Sequence, residues 1–128
     1  MTMSVKLGVP NGIFFIGDPQ ARIFPEDVDG DAGVWFTPEI VAVACLHDME
    51  GHTQITIGAA SELKSDGALV FDGIVQTPGR MVEVITVPQS PIKREEPVLI
   101  QAVDGVKTRV QICKNVAKHA DEIGILTF

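Results

Sequence analysis

Apolar residues in this chain occur in short runs, several alternating with polar residues at every second position, and the runs are separated by glycine, proline, asparagine and aspartate. That period belongs to strands with one face on a core, whereas amphipathic helices repeat every three to four residues. The longest such stretch is Ala68–Val75 and Met81–Val87 around Thr77-Pro78-Gly79-Arg80. It predicts a β-hairpin in which Pro78 presets φ and Gly79 accepts the positive φ of a type II turn. Ile13-Phe14-Phe15-Ile16, between Asn11-Gly12 and Gly17-Asp18-Pro19, predicts a strand buried on both faces. Residues 18–33 follow as a loop, and Val34-Trp35-Phe36 supplies the aromatic anchor of the first half.

Thr37-Pro38-Glu39 carries a helix-start signal, a threonine cap with proline at the first helical position. The β-branched and small residues Ile40–Leu46 argue against it, and with Thr53–Gly58 they predict a second hairpin; a short helix at 38–46 is the rival. Pro88, Pro91 and Pro97 bracket a charged link that cannot continue a sheet interior. Val98–Val103 then turns at Asp104-Gly105 into Val106–Cys113, where Val106, Thr108, Val110 and Ile112 share one face and Lys107, Arg109 and Gln111 the other. Lys114–Glu122 reads as a polar loop or one helical turn, and Ile123–Phe128 as the last strand. The expectation is one all-β domain over residues 1–128, an antiparallel β-sandwich of seven to eight strands with at most one short helix; a closed barrel is the alternative.

Length and composition narrow the class. A chain of 128 residues buries a core without metal or disulfide staples. No apolar run reaches the eighteen residues of a membrane span, and the N-terminus has no basic region followed by an apolar one. Cys45 and Cys113 lie in strand-like runs without a paired-ligand spacing, which predicts buried thiols in a reducing cytoplasm. The formal net charge is −7, and it is uneven: Asp18, Glu26, Asp27, Asp29, Asp31, Glu39, Asp48 and Glu50 stand against Lys6 and Arg22 in the first sixty residues. Such a field repels nucleic acid and steers a basic partner, or serves only as a soluble acidic surface.

Candidate chemistry is sparse. Asp27-Val28-Asp29-Gly30-Asp31 superficially matches a calcium loop, but its glycine comes too early and proline stands where a bidentate glutamate belongs, so a solvated loop is expected. His47 and His52 offer two ligands to zinc or a base with a carboxylate partner, yet two ligands do not complete a tetrahedral site and a polar turn is expected. His119-Ala120-Asp121-Glu122 is read as a surface link, and Asp72 as an acid on the exposed face of its strand. No nucleophile elbow, phosphate loop or metalloprotease helix occurs, so no catalytic residue, metal ligand or cofactor is assigned.

Phe14-Phe15-Ile16-Gly17-Asp18, the acidic Trp-bearing segment Asp27–Trp35, a strand pair, and then Asp66-Gly67, Phe71-Asp72 and Pro78-Gly79 leading to Met81–Val87 occur in an order that resembles the competence protein J family of nuclease inhibitors. The resemblance covers residues 10–90, is one of pattern, and departs after Val87, so no family residue is carried over by identity. It implies a β-rich protein that suppresses a nuclease by binding it. On the residues themselves, Glu26, Asp27, Asp29 and Asp31 would face a basic nuclease or toxin, with Trp35 as an apolar anchor and Asp48 and Glu50 on a second loop. No nucleic acid or membrane partner is expected. The competing readings are an enzyme with a small-molecule or metal site at a loop end, and a module that forms homo-oligomers through Val- and Ile-rich edge strands.

Overall fold

The computed structural model describes residues 2–25, 33–64, 67–86 and 97–128. Two five-stranded sheets enclose one apolar core. The strands are β1 (Thr2–Leu7), β2 (Ile13–Gly17), β3 (Val34–Phe36), β4 (Ile40–Ala44), β5 (Thr53–Ala59), β6 (Ala68–Gln76), β7 (Met81–Thr86), β8 (Leu99–Ala102), β9 (Lys107–Lys114) and β10 (Glu122–Thr127). The first sheet runs β1-β5-β10-β9-β6 and the second β3-β4-β2-β7-β8. Among the described strands all pairings are antiparallel except β5 with β10. The helical content among the described residues is one 3-10 turn, Pro10–Gly12, and no described helix is long and apolar enough to cross a membrane.

Alternation does what it predicts within β9, where Thr108, Val110 and Ile112 are buried and Lys107 and Arg109 exposed, but Val106, expected inward with them, precedes the strand and is exposed. From the other sheet Phe14, Ile16, Val41, Val43, Val82 and Val84 meet them, and this interdigitation is the core. The β-sandwich is therefore as expected, with ten described strands rather than seven or eight. Thr2–Leu7 was not anticipated as a strand; it alternates half-buried with exposed residues and pairs only with β5, as an edge strand does. Residues 40–44 are strand, not helix.

The expected hairpins are the main correction. β6 and β7 lie in different sheets, as do β4 and β5, and β8 and β9. Thr77 shows why. Its N–H donates to Val106 O at 2.8 Å, and its hydroxyl donates to Gly105 O at 2.8 Å and lies 2.9 Å from the Thr108 hydroxyl, so the end of β6 is held by the first sheet. Two residues on, Gly79 N–H donates to Oδ2 of buried Asp18 at 2.8 Å, which commits the chain to the second sheet. The turn also differs in kind: Arg80 N–H closes it onto Thr77 O at 2.9 Å, and the positive φ falls on Arg80 (56°) rather than on Gly79. Glycine is needed at 79 for space, since a Cβ there would stand 2.9 Å from Asp18 Oδ1.

Candidate partner-binding end of the sandwich

One end of the sandwich gathers the close of β1, β4 and β9 and the start of β2, β3, β5, β6 and β10. The 45–52 link crosses between sheets here and is tied down on both sides. Cys45 N–H donates to Gly12 O at 2.7 Å, Leu46 N–H to Ala120 O at 2.9 Å, and Asp48 N–H to Val9 O at 3.2 Å. Gly12 sits at φ 64°, and a Cβ on it would reach 2.8 Å from Cys45 O, so this approach requires glycine. The 115–121 loop is braced by Asn115 Nδ2 donating to Asp121 at 2.6 Å and by Glu122 N–H donating to Asn115 Oδ1 at 3.2 Å.

On this platform Asp48, Glu50, Asp121 and Glu122 are all exposed. His47 Nδ1 lies 2.8 Å from Asp48 Oδ1 and 3.1 Å from the Met49 amide. These are alternatives, because Nδ1 accepts from Met49 only when it carries no hydrogen and donates to Asp48 only when it does. His119 Nδ1 stands 3.8 Å from Glu50 Oε2. Among the described residues no three His, Cys, Asp or Glu side chains are placed to hold a metal ion. The pairing of His47 with His52 across a hairpin tip falls with the hairpin, since their link is a crossover between sheets.

The Glu26, Asp27, Asp29 and Asp31 assignments lie outside the described residues, but the segment that carries them re-enters at Gly33, and Gly33 is held at this end. Its carbonyl accepts the Ala44 N–H at 2.9 Å and the Lys114 ammonium at 3.0 Å. Lys114 is 3 % exposed, and burial pulls its ammonium below the ordinary lysine value while neighbouring Cys45 resists the change. Sequence reasoning assigned Lys114 to a polar loop. The signal was present, since position 114 continues the inward series 108, 110, 112, but a lysine is read as solvated unless its partner is known.

Trp35 is half-buried on the outer face of the second sheet, opposite Ala42, with its Nε1–H buried and unpartnered among the described residues. It is neither in the core between the sheets nor part of the acidic end. Asp18 and Glu39, counted in the acidic excess, are structural: Asp18 is 1 % exposed, and Glu39 Oε1 accepts the Arg22 N–H at 3.0 Å. Asp72 lies on the exposed face as expected, in a bidentate pair with Arg109 at 2.9 and 2.8 Å. A groove of about 310 Å³ on the outer face of the first sheet is lined by Gln54, Thr56, Lys64, Asn115 and Glu122 among others.

The architecture has counterparts of known structure. The crystal structure of ComJ, inhibitor of the DNA degrading activity of NucA, from Bacillus subtilis, superposes with a TM-score of 0.69 over 98 % of this chain and 93 % of that one. The chain has the fold of ComJ. Identity between the two is 9 %, so what they demonstrably share is the fold. The crocagin biosynthetic gene J protein matches with a TM-score of 0.53 at 10 % identity, covering 98 % of this chain and 94 % of its own. No family model matches the sequence, and no curated protein does. The structural match with ComJ covers nearly the whole chain and so extends beyond residues 10–90.

Proposed function

We propose that this protein is a non-enzymatic binding protein of the inhibitor type, which covers a basic surface of a nuclease or toxin with the carboxylates at this end of the sandwich. The observation that carries the proposal is the anchoring of Gly33 to Ala44 and Lys114. Gly33, the first described residue after the stretch of sequence that carries Glu26, Asp27, Asp29 and Asp31, is thereby held at the end that displays Asp48, Glu50, Asp121 and Glu122. Carboxylates on loops of a rigid scaffold compete for cationic groups that a nucleic-acid enzyme reserves for phosphates. The ComJ fold supports the same reading, since ComJ is itself an inhibitor of a DNA-degrading activity.

The test is a DNA-degradation assay with a NucA-type nuclease from the source cells, titrated with wild type and with two charge reversals. One combines Glu26→Lys, Asp27→Lys, Asp29→Lys and Asp31→Lys; the other combines Asp48→Lys and Glu50→Lys. Wild type should inhibit, and the fourfold variant should bind roughly 100-fold more weakly with a flatter salt dependence. Equal inhibition by wild type and the fourfold variant, or none by wild type, overturns the proposal.

A further inference from the structure

β6 is a nine-residue edge strand whose free side is open between a bulge at one end and the Pro38 carbonyl at the other. Residues 68–76 contain no lysine, arginine or proline. Their single charge, Asp72, is held by Arg109 and Gln111. The orientation of the strand follows from two bonds. Gln76 N–H donates to Pro38 O at 2.8 Å, away from β9; Arg109, opposite Ile74, uses its carbonyl on the Phe128 N–H at 3.0 Å, away from β6. Ile74 and, by alternation, Asp72 therefore point their N–H and C=O groups outward, and no backbone partner meets them among the described residues. A bulge between Leu69 and Phe71 limits regular pairing to the segment after it.

The apolar surface lies beside this free edge. Ile74 is 64 % exposed and Phe36 66 % exposed; Phe36 packs edge-on against Phe71 at 5.3 Å, which places β3 next to β6 on the same flank of the sandwich. We infer that β6 is the self-association surface of this protein, pairing antiparallel with β6 of a second copy about a two-fold axis at Gly73. In that register Asp72 faces Ile74 of the other copy in both directions, so the four outward N–H groups and four outward C=O groups satisfy one another. Each Ile74 lies against the neutralised Asp72–Arg109 pair of the other copy. Ile74, Phe36 and Leu69 leave roughly 350 Å² of apolar surface per copy, about 700 Å² for the pair, below the roughly 1,000 Å² of a stable complex until backbone and flanking contacts are added, so a weak dimer is expected.

The test is sedimentation equilibrium of the full chain up to about 200 μM, a range suited to an interface of this size. Wild type should be a dimer at the upper concentrations. Ile74→Lys, an outward change on the free edge, should weaken association at least tenfold while leaving the far-UV spectrum and the Trp35 fluorescence unchanged. Ile100→Lys, on the opposite flank in β8, should dimerise as wild type does. A wild-type monomer throughout overturns the inference and leaves the edge to a strand of another protein. Undiminished dimerisation of Ile74→Lys, or its loss in Ile100→Lys, overturns it equally.

Discussion

Replacing Asp18 with alanine should be among the most destabilising single changes to a polar residue in this protein. The carboxylate is 1 % exposed and accepts from Gln20 N–H at 2.8 Å and Gly79 N–H at 2.8 Å, with Met81 N–H at 3.4 Å. It thereby fastens the end of β2 to the corner where the chain passes from the first sheet to the second. Two short charge-assisted bonds at about 1.5–3 kcal/mol each, less what water returns to the amide of exposed Gln20, give an expected loss of about 3–5 kcal/mol. Asp18→Asn keeps the shape and one acceptor but turns an NH₂ toward a donor, so about 2 kcal/mol is expected. Urea unfolding followed by Trp35 fluorescence measures this; at a slope of about 2 kcal/mol per molar, the alanine variant should lose roughly 2 M in midpoint. Asp104→Ala, an exposed acid in the turn between β8 and β9, should stay within about 0.5 kcal/mol of wild type. A loss below about 1 kcal/mol for Asp18→Ala would refute the account of the corner.

Two further outcomes follow from titrating groups. Burial pushes the Cys45 thiol from 9.0 up to about 11, against the opposing pull of the Thr53 hydroxyl and the Lys114 ammonium. Between those values the folded state keeps a proton that the unfolded chain releases, so this thiol makes stability fall with rising pH, by about 2–3 kcal/mol once pH passes the upper value. Buried Lys114, with its lowered value, acts in the opposite sense, so the measurement is the difference in thermal midpoint between wild type and Cys45→Ala from pH 8 to 11; a constant difference would refute the assignment. Asp72 is held near 2 rather than 3.8 by hydrogen bonds from Arg109 and then Gln111, so its contribution is present above pH 3.8 and is lost as pH falls toward 2. A carboxyl NMR titration should show this low value in wild type and its return toward the ordinary range in Arg109→Gln; an unchanged midpoint would remove the pair as the cause.

The acidic end illustrates how far a site can be read along a chain. Asp48 and Glu50 were legible as exposed acids because a polar link between two apolar runs has nowhere to go but the surface. Their company was not. Asp121 and Glu122 join them through the Leu46 bond to Ala120, and Gly33 arrives through a lysine eighty-one residues away. Asp18 looked like one more surface acid, and only its contacts across sixty-one residues show it to be a structural pin. In each case the deciding partner is remote in sequence, and no local pattern encodes it.

The same division runs through the fold. Thr37-Pro38 shows it in four residues: the Thr37 hydroxyl accepts from Glu39 N–H at 3.2 Å and Ile40 N–H at 3.1 Å, as a helix cap would. Yet Thr37 N–H donates to Ile40 O at 2.8 Å and the chain turns back from β3 into β4. Capping chemistry is local, and the β-branched residues after it reject the helix. Alternation by itself determined that this chain forms strands and which side chains face inward, because side chains alternate along a strand whatever strand lies beside it. Which strand lies beside it was decided only in the folded molecule. Apolar faces of equal period are interchangeable until Thr77 is fastened to the first sheet and Asp18 to the second, and Lys114 bonds across to Gly33, which assigns neighbouring strands to opposite sheets.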